Sequence, residues 1–147
     1  MSDSVAFWDT SAIIPLCCNQ EFSFLARRIR RTLDLPVVWW GTPVEVHSGI
    51  ERLRREDFLN EAKSRQAIDG WQKFHLRARK IRPDDAVLKL AMSMPAAYKI
   101  RALDAFQLAA ALRWCGERPR SRPFVSADYR LCEAAGDAGF DVVSLAK

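Results

Sequence analysis

Short apolar runs alternate with amphipathic segments along the chain, and this alternation predicts a layered α/β protein. Residues 5–8 and 36–40 are continuous apolar runs, the pattern of strands buried on both faces of a parallel sheet. Shorter strand patterns lie at 79–82, 124–126 and 140–145. Helical patterns lie between the strands, at 10–19, 21–33, 42–58, 60–76, 84–94, 102–112 and 128–136. Connections of this length exclude hairpins, so we expect a three-layer α/β/α sandwich with a central, mainly parallel sheet, formed as a single domain over residues 1–147.

Two prolines and one apolar segment bear on the predicted helices. Pro15 falls within the first helix and is expected in its first turns or at a kink, while Pro95 is expected to separate two helices. The segment 102–112 is apolar nearly all the way round, which predicts a helix buried on several sides. Asp104 is the exception, because it is the charged residue within this apolar segment.

Composition narrows the class of protein. Hydrophobic residues make up 49% and charged residues 28% of the 147 residues, which excludes a disordered chain. No apolar run reaches the roughly 18–20 residues of a membrane span, and no signal-peptide pattern opens the chain, so we expect a cytoplasmic protein without membrane association. The cysteines lack C-x-x-C spacing and are expected to be reduced, core-filling residues; they are Cys17, Cys18, Cys115 and Cys132. His47 and His75 lie far apart, which disfavours zinc.

The charge balance permits a polyanionic partner. There are 23 Lys and Arg against 18 Asp and Glu, a net charge of +5 and a pI near 9.3, as a nucleic-acid-binding protein would have. Basic residues form four clusters, at 27–31, 52–55, 77–82 and 118–122. Each cluster taken singly is also explained as a solvated helix face.

Several acidic residues are candidates for chemistry at the carboxyl edge of the sheet, where open α/β sheets bind ligands. Asp9 ends the first strand and Asp128 follows the strand at 124–126, so these two carboxylates are expected side by side. Each acid also has a structural explanation as a helix cap. Asp9, Asp104 and Asp128 would cap helices beginning at the next residue, and Thr42-x-x-Glu45 fits a capping box.

Asp104 favours a chemical role for these acids over helix capping alone. A buried carboxylate without a partner lowers the stability of the fold. Arg101, three positions before Asp104, is the only basic residue close enough in the sequence to pair with it locally. A bound cation would remove this cost. An all-oxygen set of ligands favours Mg²⁺ or Mn²⁺, which suit phosphodiester hydrolysis, and basic surroundings would steer nucleic acid towards the site. His47 lies on the other side of the helix from Glu45 and is left out of the site.

The chain resembles a PIN domain, specifically the VapC-type toxin ribonucleases of bacterial toxin–antitoxin pairs. The resemblance runs nearly end to end and rests on the order and spacing of its motifs. These are Phe7-Trp8-Asp9-Thr10-Ser11-Ala12, Thr42-Pro43-Val44-Glu45-Val46, Ile100 to Ala111 around Leu103-Asp104-Ala105, Phe124-Val125-Ser126-Ala127-Asp128, and Gly139-Phe140-Asp141-Val142-Val143.

The resemblance implies a Mg²⁺- or Mn²⁺-dependent endoribonuclease that inhibits translation and leaves a 5′-phosphate and a 3′-hydroxyl. The implied catalytic acids are Asp9, Glu45, Asp104 and Asp128. Asp9 and Asp104 would be direct metal ligands, and Asp128 would hold a second ion or act through water. Glu45 would orient water, and Ser11 and Ser126 would be supporting residues. The implied partners are RNA, a VapB-like antitoxin and a second copy of the chain.

Three features depart from the commonest family pattern: Trp39-Trp40, Cys17-Cys18 and Met92-Ser93-Met94-Pro95. Trp39 and Trp40 are expected as strand core and edge residues, with base stacking as the alternative.

Two other functional classes remain open. One is another Mg²⁺-dependent α/β phosphohydrolase, although those that form an aspartyl-phosphate usually have an acid where this chain has Ser11. The other is a non-catalytic RNA- or partner-binding module whose acids only cap helices. The RNA target leaves no short motif in the sequence.

Overall fold

The computed structural model describes residues 4–146, which are built around a five-stranded sheet in the order β3-β2-β1-β4-β5. The strands are β1 (Val5–Trp8), β2 (Leu35–Trp39), β3 (Arg79–Ile81), β4 (Pro123–Ser126) and β5 (Asp141–Ser144). Every neighbouring pair is parallel. The helices are α1 (Thr10–Cys17), α2 (Ser23–Thr32), α3 (Thr42–Arg55), α4 (Glu61–Arg77), α5 (Asp85–Tyr98), α6 (Ala102–Trp114) and α7 (Tyr129–Ala138). Residues 1–3 and 147 of the predicted single domain lie outside the described part of the chain.

The strands are buried on both faces, as their continuous apolar runs predict. One face turns Phe7, Val37 and Phe124 towards a cluster that includes side chains of α5, α6 and α7. The other face turns Trp8 and Val38 towards a cluster with side chains of α1, α2, α3 and α4. The α/β/α sandwich predicted from the sequence is therefore confirmed, with a sheet that is parallel throughout.

The strand order puts a topological switch point beside β1. The chain passes from β1 to β2 on one side, whereas β4 pairs with β1 on the other, with Phe7 opposite Phe124 and Trp8 opposite Val125. The Asp9 N–H donates to the Val125 carbonyl at 3.0 Å, so this pairing continues past the end of β1. The carboxyl ends of β1 and β4 consequently lie side by side, where ligands of open α/β sheets bind.

Aromatic packing attaches α6 to β2 close to this edge. The Trp39 ring stacks on Phe106 at 5.3 Å between centroids with an interplanar angle of 5°. Gly41 makes room for the indole, because a Cβ at this position would lie 2.6 Å from Trp39 Nε1. Trp39 is buried, whereas Trp40 is 52% exposed, which fits the core and edge positions expected for this pair.

Several element boundaries differ from the sequence prediction. The prediction that α5 ends at Met94 is wrong, because the helix continues through Pro95 to Tyr98. Pro95 lies in the last turn and is exposed, and the helix ends at Lys99, which has a left-handed φ of 57° and donates its N–H to the Pro95 carbonyl. Pro15 lies inside α1, which ends at Cys17 rather than near residue 19. The third predicted helix is also shorter, ending at Arg55 rather than 58.

The cysteines of the described residues are all free. Cys115 and Cys132 are buried, but Cys17 and Cys18 are only partly buried. The prediction of core-filling cysteines is therefore correct for Cys115 and Cys132 and wrong for Cys17 and Cys18. Across residues 4–146, no helix combines the length and apolar character needed to span a membrane.

Candidate functional site

Asp9 lies at the carboxyl end of β1 and is only 4% exposed. Its carbonyl accepts from the Ala12 N–H at 3.0 Å, but its side chain makes no cap hydrogen bond to α1. Instead, the carboxylate oxygen Oδ2 accepts from Ser126 Oγ at 2.7 Å and from Ser11 Oγ. The interpretation of this side chain as a helix cap is therefore wrong.

The two serines tie the ends of β1 and β4 together around Asp9. Ser11 Oγ accepts from the Ala127 N–H at 2.9 Å, and Ser126 Oγ accepts from the Asp128 N–H at 3.0 Å. Each hydroxyl thus joins a backbone amide of the β4 end to the Asp9 carboxylate. The structure places both expected supporting residues in direct contact with Asp9.

Glu45 occupies the first turn of α3, but the predicted capping box is not formed. The helix begins at Thr42, with Gly41 in the N-cap position and no side-chain cap bond. The Glu45 carboxylate turns towards other elements: Oε1 accepts from Thr10 Oγ1 at 3.1 Å and Oε2 from Gln107 Nε2 at 3.3 Å. A contact with α1 and α6 thus replaces the expected local bond, because α3 begins at Thr42 rather than after it.

Asp104 and Asp128 occupy different positions relative to their helices. Asp104 is the third residue of α6, so the expectation that it caps a helix beginning at Ala105 is wrong. It is half-buried rather than in the core, because the first turn of α6 is open to solvent and Leu103 is 59% exposed. Asp128 is the N-cap of α7, and its Oδ1 accepts from the Leu131 N–H at 3.0 Å. The capping interpretation is correct for this one acid, and it uses one carboxylate oxygen.

The acids perturb one another electrostatically. The pKa of Asp9 is raised to about 6, chiefly by burial; the charges of Asp104 and Asp128 also raise it, while the hydrogen bonds from the two serines lower it. Burial likewise raises the pKa of Glu45 to about 7, with contributions from the charges of Asp9 and Asp104, against the bonds from Thr10 and Gln107. The sheet edge therefore brings these acids into one electrostatic neighbourhood.

Asp104 has basic residues near it but no ion pair. Burial and the charge of Asp128 raise the pKa of Asp104, while the charges of Arg101 and Arg130 lower it. The four ion pairs formed within residues 4–146 involve none of the site acids; they are Arg52–Glu56, Arg54–Glu51, Arg65–Glu61 and Arg113–Asp84. The negative charge of the site is consequently not neutralised by a salt bridge from the described chain.

Two of the four basic clusters lie away from the acids. The cluster at 118–122 precedes β4 and so lies towards the opposite edge of the sheet. Arg52, Arg54 and Arg55 are in the last turn of α3, about 10–15 Å along the helix from Glu45 at its start. In the cluster of α2, Arg28 and Arg30 lie over aromatic rings. The arginines whose charges lower the pKa of Asp104 are Arg101 and Arg130, which belong to none of the four clusters.

The donor set fits a hard divalent cation in its chemistry. Asp9, Asp104 and Asp128 offer only carboxylate oxygens, and such ligands suit Mg²⁺ or Mn²⁺. Their mutual repulsion is what a cation would relieve. Within residues 4–146, however, no group of three or more His, Cys, Asp or Glu side chains is arranged to hold a metal ion as it stands. His47 lines a separate cleft of about 800 Å³ between α3 and α4.

Sequence reasoning missed the buried polar network behind Glu45. Gln107 in α6 is completely buried, and its Nε2 lies 3.2 Å from Thr10 Oγ1 and 3.2 Å from Thr42 Oγ1, besides its contact with Glu45. The available signal was a second polar residue in the apolar segment 102–112, three positions after Asp104. Residues at this spacing share a helix face, so Gln107 should have been singled out with Asp104.

Solved structures share this fold. The sequence itself matches no protein-family model and no curated protein. One similar structure is a chain from a "Toxin-antitoxin complex from Klebsiella pneumoniae", with a TM-score of 0.57 and 18% identity over 95% of this chain and 97% of that one. Another is PAE2754 from Pyrobaculum aerophilum, with a TM-score of 0.63 and 14% identity over 97% of this chain and 91% of that one. At such low identity the likeness establishes a shared fold, and the chain therefore has the α/β architecture found in a toxin–antitoxin complex.

Proposed function

We propose that the protein is a metal-dependent endoribonuclease, a PIN-domain toxin of the VapC type that cleaves RNA and inhibits translation. The observation that carries the proposal is the gathering of Asp9, Glu45, Asp104 and Asp128 at the switch point of a parallel sheet, with no salt bridge to any of them from the described residues. Two of these carboxyls have pKa values raised to about 6 and about 7. Perturbed acids that lie together at a ligand-binding edge are a common property of active sites.

The residues divide the work of phosphodiester hydrolysis between them. Asp9, Asp104 and Asp128 would hold Mg²⁺ or Mn²⁺, which when bound activates water and stabilises charge on the phosphate. Ser11 and Ser126 fix the Asp9 carboxylate through its Oδ2. Glu45 orients the attacking water and takes its proton. The water oxygen bonds to phosphorus, the bond from phosphorus to the 3′ oxygen breaks, and that oxygen takes a proton from solvent, which leaves a 5′-phosphate and a 3′-hydroxyl.

A VapB-like antitoxin and a second copy of the chain complete the proposal. The structural similarity to a chain of a toxin–antitoxin complex supports the antitoxin. We expect copurification of the antitoxin when its gene is coexpressed, and a homodimer by light scattering. An RNA substrate used in translation places the reaction in the cytoplasm.

Cleavage of a total small-RNA pool by the purified protein tests the activity. Discrete products are expected with Mg²⁺ or Mn²⁺ and none with a chelator. Asp104→Asn should keep the fold and abolish cleavage, whereas Asp137→Asn, on the exposed face of α7, should cleave like the wild type. A folded, antitoxin-free wild type that yields no products under any condition contradicts the proposal.

The second candidate is a non-catalytic module that binds RNA or a protein partner. Two observations favour it: Asp128 caps α7, and no three acids of residues 4–146 are already arranged around a metal position. On this hypothesis Asp104→Asn leaves RNA binding unchanged and there is no cleavage to lose. Filter binding of the same RNA pool, with and without metal, separates the two hypotheses.

A further inference from the structure

The side chain of Gln107 joins three helices behind the proposed active site. It projects from α6, while Thr10 is the first residue of α1 and Thr42 the first residue of α3. The amide nitrogen lies 3.2 Å from the hydroxyl oxygen of each threonine and 3.3 Å from Glu45 Oε2. An amide nitrogen carries two N–H donors, so three acceptors share them in one buried cluster.

The Glu45 carboxylate is held at both of its oxygens by this cluster. Thr10 Oγ1 donates to Oε1 and Gln107 Nε2 donates to Oε2. A glutamate side chain has several rotatable bonds and loses considerable rotamer freedom when it is ordered. Two donors from two different helices fix both the position and the plane of the carboxylate, which neither bond alone would do.

Gln107 is not at this position for packing alone. Its Oε1 atom is buried and has no hydrogen-bond partner among the described residues, an arrangement that costs stability. An apolar side chain of the same size would avoid this cost and would still fill the space between α6 and the two helix starts. The contribution specific to glutamine is therefore its donor nitrogen, which faces Glu45 and the threonines.

We propose that Gln107 is a positioning residue that fixes the Glu45 carboxylate for catalysis. This inference rests on the proposed function, in which Glu45 orients the attacking water. Misplacement of a reacting group by about 1 Å lowers rates by about 100-fold. Loss of the Gln107 donor therefore lowers kcat by about 10- to 100-fold and leaves KM for RNA within about two-fold, because Gln107 is buried and does not contact substrate.

Gln107→Met is the decisive variant, since methionine keeps the length of the side chain and removes the donor. The reduction in kcat should disappear in a Glu45→Gln background, because the residue acts through Glu45. Leu108→Ala, a fully buried neighbour in α6, is the control for general destabilisation and should have the same effect in both backgrounds.

Two kinetic outcomes overturn the inference. One is a reduction in kcat by Gln107→Met that is equal in the wild-type and Glu45→Gln backgrounds. The other is a reduction in kcat no larger than the decrease in the folded fraction of the protein. If the wild type does not cleave RNA, the proposed function fails, and crystal structures then decide the positioning role. A Glu45 carboxylate that leaves Thr10 Oγ1 in Gln107→Met supports the inference, and one that stays in place refutes it.

Discussion

The substitution Asp9→Asn tests the electrostatics of the site without any need for activity. Asp9 is 4% exposed and its pKa is raised from 3.8 to about 6, chiefly by burial. A carboxyl with a higher pKa in the folded state holds its proton more tightly there than in the unfolded chain. The contribution of Asp9 to stability is therefore most favourable in acid, falls as the pH rises between these two pKa values, and stays low above them.

The size of the effect follows from the two pKa values. At 1.36 kcal/mol per pH unit, the charged Asp9 costs the metal-free fold about 3 kcal/mol at about pH 8. At about pH 4.5 the folded carboxyl is protonated and the same relation gives about 1 kcal/mol. Asparagine keeps an oxygen to accept from Ser11 and Ser126 but carries no charge.

Urea unfolding in the presence of a chelator measures the difference. We expect Asp9→Asn to be more stable than the wild type by about 1–3 kcal/mol at about pH 8, and this advantage to shrink by about 2 kcal/mol at about pH 4.5. Asp137→Asn, exposed on α7, serves as the control and should show neither effect. Equal changes at both pH values would refute the conclusion that Asp9 is held as a costly buried charge.

Other properties of the site and its surroundings are open to measurement. Cleavage should rise with pH up to about 7, as Glu45 loses its proton, and Glu45→Gln should be slow and lack this rise in a pH–rate profile; an unchanged profile contradicts the assignment. Ser126→Ala should destabilise the fold by about 1–2 kcal/mol in urea unfolding, because the Asp9 carboxylate loses a donor and the Asp128 N–H an acceptor; no change would mean that these bonds contribute nothing. Gly41→Ala should lower the free energy of unfolding by about 1–3 kcal/mol, because its Cβ would lie 2.6 Å from Trp39 Nε1, and unchanged stability would mean that the indole shifts freely.

Much of the fold could be predicted from local pattern. The apolar runs at 5–8 and 36–40 predicted strands buried on both faces, and Phe7 and Trp8 do face opposite helix layers. Helix ends were less predictable. Pro95 was expected to stop a helix, but a proline removes only its own N–H bond and the residues after it can continue the turn, so the helix ends at Lys99 instead.

The candidate site was predictable in its acids and not in their partners. Asp9 and Asp128 follow neighbouring strands of a parallel sheet, which alone places them at one edge. The capping explanations could be decided only by structure, because a cap and a free carboxylate have the same local sequence. Asp128 caps its helix, whereas the side chain of Asp9 and that of Glu45 turn to Ser126 and Thr10.

The sequence by itself determined the layered α/β architecture and the acidic residues that could act as oxygen donors, because residue type and periodicity are local properties. Only the tertiary structure decided that Gln107 reaches Glu45 across 62 positions and that Ser126 reaches Asp9 across 117. Such contacts depend on strand order and helix packing, which bring together residues that no local pattern links. The same packing raises the pKa values of Asp9 and Glu45, since burial is a property of the whole fold.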